Sequence, residues 1–414
     1  MEVTAQPGCP GERDGAQGDC MERVYFDHAA TTPVRPEVIQ AMLPYYSHSW
    51  GNPSSLHGEG VAALEGIERA RQHVADLLGA DSGEIVFTGS GTEADNQALI
   101  GAAHALREKG DHVITSAVEH HAIHHTAAHL ETLGLRVTYV PVDDTGLVDP
   151  DAVREALTDR TILVSIMHAN NEIGTIQPIA EIGAICRQRG VLFHSDAVQT
   201  VGHVPIDVGH TDIDLLSLSA HKLYGPKGVG ALLVRKGVAL TSYLHGGGQE
   251  QGRRASTENV AGIVGLGEAA RLAREEMAQE AAHTTALRDG VIGGILDRVP
   301  DVILTGHPAR RLPNNASFCV AGVEGEALLL DLDQEGFAVS SGSACTSGVS
   351  EPSHVLLSLG LPPDIARGSI RITVGRGNTV EEVDQLLQVL PGVAQRLRDM
   401  SPHRPAVAER GHHA

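Results

Sequence analysis

The chain has 414 residues, of which 42% are hydrophobic and 20% charged, with a formal net charge of −21; that length can bury a sizeable core and divide into two domains, and the acidic balance argues against nonspecific nucleic-acid binding. No run approaches the ~18 apolar residues a membrane span needs. The five widely spaced cysteines (Cys9, Cys20, Cys186, Cys319 and Cys345) speak against a disulfide framework or a CxxC zinc site and fit a reducing cytoplasm.

Residues 1–20 carry neither the basic nor the apolar region of a secretory signal and read as a disordered extension, as do residues 401–414 at the other end. From residue 58, Val61, Leu64, Ile67, Val74, Leu77 and Leu78 recur at helical spacing, and Gly79 is a natural stop. Short apolar runs follow at 84–87, 112–115, 136–142, 161–167, 191–193, 214–218 and 229–234, most of them separated by helical or loop material. This alternation predicts an α/β fold, a mainly parallel sheet with helices on both faces. A smaller α+β region begins near 275, with helices around 281–298, 326–334 and 379–397 and strands at 302–305, 316–320, 337–340 and 370–374. Thr379 and Glu382 fit a capping box.

Ligands of open α/β sheets bind beyond the carboxyl ends of the strands. Five strand ends in succession present small, polar or titratable residues: Gly89-Ser90-Gly91-Thr92, Glu119-His120-His121, Asn170-Asn171-Glu172, Asp196 to Gln199, and Ser219-Ala220-His221-Lys222. The Gly89–Thr92 turn opens a helix whose free N–H groups and dipole suit an anion. A buried Lys222 can act as an amine nucleophile toward a carbonyl. Asp196 can pair with a protonated pyridine nitrogen, keeping such a ring an electron sink. His120 can lie flat against a ring. The stretch His120-His121-Ala122-Ile123-His124-His125 has two overlapping i, i+4 pairs of metal-ligand spacing, but no carboxylate or cysteine motif accompanies them, and surface histidines are the plainer reading of His121, His124 and His125. Cys345 sits in the small, polar stretch Ser340-Ser341-Gly342-Ser343-Ala344-Cys345, where a thiol can visit a site and swing away; Cys186 and Cys319 lie among apolar neighbours. Arg371, inside a strand, suits either a carboxylate ligand or an internal ion pair.

These residues carry a family likeness. Tyr25-Phe26-Asp27-His28-Ala29-Ala30-Thr31-Thr32, Gly51-Asn52-Pro53-Ser54-Ser55, Asn170-Asn171-Glu172-Ile173-Gly174, the run from Ser219 to Gly228, and Ser341-Gly342-Ser343-Ala344-Cys345 resemble cysteine desulfurases of the NifS/IscS type, in the class V aminotransferase group of fold type I pyridoxal-phosphate (PLP) enzymes. The likeness runs from about Val24 to about Leu397. It implies a large PLP-binding domain over 36–275 and a small domain from 21–35 and 276–400. It also implies that Lys222 carries PLP covalently and that Asp196 meets the ring nitrogen. Gln199 and Asn171 would serve the phenolic oxygen side, with Asn171 also near substrate. His120 would stack on the ring and serve in acid/base steps, and Gly91, Thr92, Ser219 and His221 would bind the phosphate. Thr257 would reach that phosphate from the partner subunit of a homodimer. Arg371 would clamp the carboxylate of L-cysteine, and Cys345 would take the substrate sulfur as a persulfide, leaving alanine. The stretch after Cys345 resembles the long-loop branch, which hands sulfur to acceptors such as an iron–sulfur scaffold. No resident metal is implied, Cys345 being at most a transient ligand of an iron–sulfur cluster, and a cytoplasmic enzyme binding neither nucleic acid nor membrane is expected. Two features depart from the pattern: residues 1–20 have no counterpart, and Gly89-Ser90-Gly91 replaces a Ser-Gly-Ala-like turn. A PLP aminotransferase or β-lyase would keep Lys222 and Asp196 without needing Cys345, and a metal-binding protein would use the histidines instead.

Overall fold

The computed structural model describes residues 23–341 and 352–400; Cys345 and the two expected disordered ends lie outside them. The strands are β1 (Val24–Tyr25), β2 (Ile85–Thr88), β3 (His112–Ser116), β4 (Arg136–Val140), β5 (Thr161–Ser165), β6 (Leu192–Asp196), β7 (Leu215–Ser219), β8 (Gly230–Val234), β9 (Val302–Leu304), β10 (Asn315–Val320), β11 (Phe337–Ala338) and β12 (Ser369–Thr373). Seven of them form one sheet in the order β2-β8-β7-β6-β5-β3-β4, in which β8 alone runs against its neighbours. The fold is the mainly parallel α/β sheet the alternation implies.

Strand side chains alternate between the two faces. Ile85 and Phe87 therefore enter one apolar core with Val74, Ile166 and Leu266, while Val86 enters a second with Leu99, Ile123 and Leu232. Burial on both faces explains why β2, β5, β7 and β8 read as apolar or small-residue runs. A third core joins β10 and β12 to the helix Val380–Met400 through Phe318, Ile372, Leu386 and Leu390.

The helix Val260–Arg298 is 39 residues long and passes through the region around 275 unbroken. Its first half packs Ile263, Leu266 and Ala270 into the core of the large sheet. Its second half packs Leu287, Val291 and Ile295 beside β10 and β12. Among the described residues no helix is long and apolar enough to cross a membrane.

The chain's first strand belongs with its last elements. β1 pairs with β11, and Asp27 bridges to Thr373 at the end of β12. This brings residues 27–32 across the carboxyl end of the large sheet. There Thr32 N–H and Oγ1 both donate to the His221 carbonyl at 3.0 Å, and Tyr224 N–H donates to Thr32 Oγ1 at 2.8 Å.

Candidate active site

The carboxyl ends of the strands open on a cavity of about 490 Å³ whose walls include Gly91, Thr92, His120, Asn171, Asp196, Gln199, Ser219, His221, Lys222 and Arg371. All ten were singled out in the sequence, and the fold brings them together. Thr257 is exposed and outside this cavity.

The turn after β2 is built by capping. Ser90 takes an extended backbone and its Oγ accepts from Glu93 N–H at 3.0 Å, while Glu93 Oε2 accepts from Gly89 N–H at 2.7 Å. Arg254 Nε donates to Glu93 at 2.9 Å and fixes the arrangement from the segment that carries Thr257. The helix Gly91–Ala105 thus aims its free N–H groups into the cavity. A Cβ on Gly91 would stand 2.7 Å from Val198 and 3.3 Å from Ser219, so glycine leaves this cradle open.

Asp196 ends β6. Its Oδ1 accepts from Val198 N–H at 2.9 Å. Burial pushes its pKa up to about 6, opposed by the Val198 N–H and the charge of Lys222. Lys222 approaches across the cavity after β7, its Nζ donating to the carbonyls of Ala29 and Ala30 at 2.5 and 2.8 Å. Gln199 Nε2 donates to the same Ala29 carbonyl at 3.1 Å, and His221 Nδ1 lies 3.1 Å from Thr31 Oγ1. The N-terminal motif therefore holds the lysine through backbone oxygens.

His120 caps the helix His121–Thr132. Its Nδ1 accepts from Ala122 N–H at 3.1 Å, which leaves the proton of the neutral ring on Nε2. Burial, then Lys222, pushes its pKa down to about 4. Next to it Glu119 is fully buried: Oε1 accepts from Ser116 Oγ at 2.6 Å and Met167 N–H at 3.0 Å, and burial raises its pKa to about 8.

Asn170 and Asn171 divide their work. Asn170 shapes the turn by accepting from Glu172 and Ile173 N–H at 2.8 and 3.0 Å and donating to the Val118 carbonyl at 2.8 Å. Asn171 faces the cavity, and its carbonyl accepts from Arg371 Nη1 at 2.9 Å. Arg371 Nη2 pairs with Asp27 at 2.9 Å, while Nε is buried with no hydrogen-bond partner among the described residues. The ion pair foreseen as the alternative for Arg371 is present, on a residue that also lines the cavity.

The histidine stretch is more ordered than a set of loose surface residues. His121 and His124 are half-buried, and both rings lie against His354, at 5.0 and 5.3 Å between centroids. His354 Nε2 in turn contacts the Glu119 carbonyl at 3.0 Å. Sequence reasoning held Asp27, Ala29 and Ala30 only as part of a family motif, with no role for any of them, and missed Asp95. Asp95 had a legible signal: it lies four residues after Gly91, on the face that also buries Ala98, Leu99 and Ala102.

An amine, a carboxylate and a helix N-terminus converging on one cavity suit a phosphorylated heteroaromatic aldehyde. The family model for class-V aminotransferases matches residues 24–386. The chain belongs to that family. Within the class-V aminotransferases it is 53% identical over 383 residues to a protein of Clostridium botulinum (strain Hall) called cysteine desulfurase IscS, covering 92% of this chain and 96% of that relative. A Methanosarcina thermophila protein of the same name is 53% identical over 397 residues, with 96% and 97% covered. Among solved structures a NifS-like protein superposes with a TM-score of 0.85 at 38% identity, covering 91% of this chain and all of the other. This class-V aminotransferase therefore sits among the cysteine desulfurases of its family.

Proposed function

We propose that this chain is a PLP-dependent cysteine desulfurase that converts L-cysteine to L-alanine and carries the sulfur as a persulfide on Cys345. The observation that carries the reading is the placement of Lys222 and Asp196 in one cavity that the open N-terminus of Gly91–Ala105 also lines. In this reading Gly91, Thr92, Ser219 and His221 hold the phosphate, Asp196 meets the ring nitrogen, and Gln199 with Asn171 serves the phenolic oxygen side. His120 lies on the ring face, and Lys222 bears the covalent link. Thr257 of the partner subunit completes the phosphate site in a homodimer; its exposure outside this chain's own cavity supports that assignment.

When bound, PLP supplies an electron sink for the density left as the carbon–sulfur bond breaks. The protein does the rest. Arg371, held by Asp27 and the Asn171 carbonyl, clamps the substrate carboxylate. His120, neutral with its proton on Nε2, can donate that proton inside the cavity and take one back there. The thiolate of Cys345 attacks the substrate sulfur: the new S–S bond forms as the Cβ–S bond breaks, and a proton returns to the carbon of the departing alanine. The sulfur then passes to an acceptor such as an iron–sulfur scaffold.

We place the enzyme in the cytoplasm, where a free thiol persists. We read 36–275 as the cofactor-binding unit and 21–35 with 276–400 as a smaller one; the separate apolar cores support this division. Borohydride reduction followed by peptide mass spectrometry tests the assignment. The cofactor mass should appear on Lys222, and Cys345→Ser should keep it there while abolishing persulfide and alanine. Attachment at another lysine, or persulfide formation by the Cys345 variant, would sink the reading.

A further inference from the structure

The floor of the cavity holds more carboxyl groups than the neighbouring cations can balance. Asp95, on the helix Gly91–Ala105, is 1% exposed. A carboxylate oxygen of Asp95, one of Asp196 and a ring nitrogen of His120 all lie within 4.8 Å of one another. Asp95 Oδ1 has no hydrogen-bond partner among the described residues and stands 3.8 Å from His194 Nε2. His194 cannot supply a counter-charge. Its Nδ1 and Nε2 are occupied by Ser165 Oγ and Ser217 Oγ at 2.9 and 3.0 Å, and burial pushes its pKa down to about 3. His120 is held neutral as well. Glu119, the third buried carboxyl group, keeps its own proton at neutral pH and supplies no counter-charge either.

Two carboxylates this close in a water-excluded floor do not both ionise. The surroundings decide which keeps the charge. Asp196 has the Val198 N–H and the Lys222 charge in favour of its anion. Asp95 has only the Ser217 hydroxyl in favour of its own, against burial and Asp196.

Resting on the cofactor reading above, we propose that Asp95 is a positioning residue: a neutral acid standing behind Asp196, the two holding one proton and one charge between them. Asp95 then steadies the Asp196 carboxylate from below and tempers its basicity. The ring nitrogen keeps its proton instead of surrendering it to Asp196. The groups that face Asp95 in this role are Asp196 and His194 from β6, Glu119 and His120 from the loop after β3, and Lys222 from the loop after β7, through its charge on Asp196.

Infrared spectroscopy and cofactor titration on the holoenzyme test this. Asp95→Asn keeps the shape and a donor, and should lose one protonated-carboxyl band. Its cofactor dissociation constant and the pH midpoint of its cofactor absorption should stay within about twofold of wild type, since a polar group is exchanged for a polar group. Glu119→Gln should lose a different carboxyl band. Asp95→Ala removes the neutral acid beside Asp196; it should bind the cofactor more weakly than Asp95→Asn does, by at least about tenfold if the shared proton amounts to a buried charge-assisted hydrogen bond, and shift the absorption midpoint. Retention of every carboxyl band in Asp95→Asn, or a midpoint shifted as far as in Asp95→Ala, would show that Asp95 is an anion and overturn the proposal. So would an Asp95→Ala protein indistinguishable from wild type. Should Asp95→Ala not fold, the infrared result on Asp95→Asn decides alone. Wild-type protein that takes up no cofactor would instead defeat the PLP reading, and the carboxyl band would survive that failure.

Discussion

Replacing Arg371 by lysine tests the substrate clamp in its simplest form. The guanidinium lies in β12, 5% exposed, and is oriented by two donations at 2.9 Å, one to the Asn171 carbonyl and one to Asp27. A single ammonium can keep the charge but cannot reach both anchors and also present two parallel N–H groups to a carboxylate. The substrate therefore loses about one charge-assisted hydrogen bond, worth about 1.5–3 kcal/mol. That corresponds to a fall in kcat/KM of about tenfold to a hundredfold. The loss should appear mostly as a raised KM for cysteine, because the carboxylate is bound alike in the ground and transition states. Alanine formation measured across a range of cysteine concentrations gives both constants, and an unchanged cofactor absorption band shows that the rest of the site is intact. Adding Asp27→Asn should cost less than the two single changes summed, since the pair is in contact. An Arg371→Lys enzyme whose KM stays within about twofold of wild type would refute the clamp, because one lost charged hydrogen bond predicts more.

Glu172 and Ser353 tie the turn after β5 to the residues just beyond the undescribed segment, the Ser353 hydroxyl donating to Glu172 Oε2. Burial raises the pKa of Glu172 to about 7. Ser353→Ala should lower stability by about 1–3 kcal/mol, the cost of a stranded buried polar group, measured by chemical unfolding; an unchanged midpoint would contradict the link. A pH series offers a further check. Glu119 and Glu172 have folded pKa values of about 8 and 7, above the ordinary 4.5. The folded chain keeps protons that the unfolded chain releases, so the stability they confer is full below pH 4.5 and is lost as the pH rises through 7 and 8. The Tm should therefore fall between pH 6.5 and 8.5, and Glu119→Gln should flatten that fall. His28, His120 and His168 lie at about 4, below the ordinary 6.5, so they steepen the acid side by refusing protons the unfolded chain accepts. Equal slopes in wild type and Glu119→Gln would contradict the alkaline prediction.

Much of the architecture was legible because covered strands leave continuous apolar runs and helix ends leave caps. The Thr379–Glu382 box forms as expected, Thr379 N–H donating to Glu382 at 2.9 Å. The apolar run 191–193 stops at Phe193, and His194, Ser195 and Asp196 look like loop chemistry, yet β6 extends through Asp196. They are strand residues whose polarity is satisfied inside the sheet, His194 between Ser165 and Ser217 and Ser195 on the Ile166 carbonyl. The helix expected over 281–298 begins at Val260, because the long stretch needs no core in its middle to stay helical. In the cavity, side chains carrying chemistry at strand ends were visible in one dimension. Asp27 was not, since its role depends on a strand more than three hundred residues away. Nor were the Ala29 and Ala30 carbonyls, since alanine advertises nothing about where its oxygen points.

The crossing of residues 27–32 over the sheet has a consequence for how the molecule is made. The oxygens that hold Lys222 leave the ribosome before the large sheet, but their strand is fixed by β11 and by the end of β12, which leave it after that sheet. The large sheet can close on itself during synthesis. The seat for its lysine cannot, so nascent chains stopped anywhere before Thr373 should be unable to retain cofactor however well their sheet has formed.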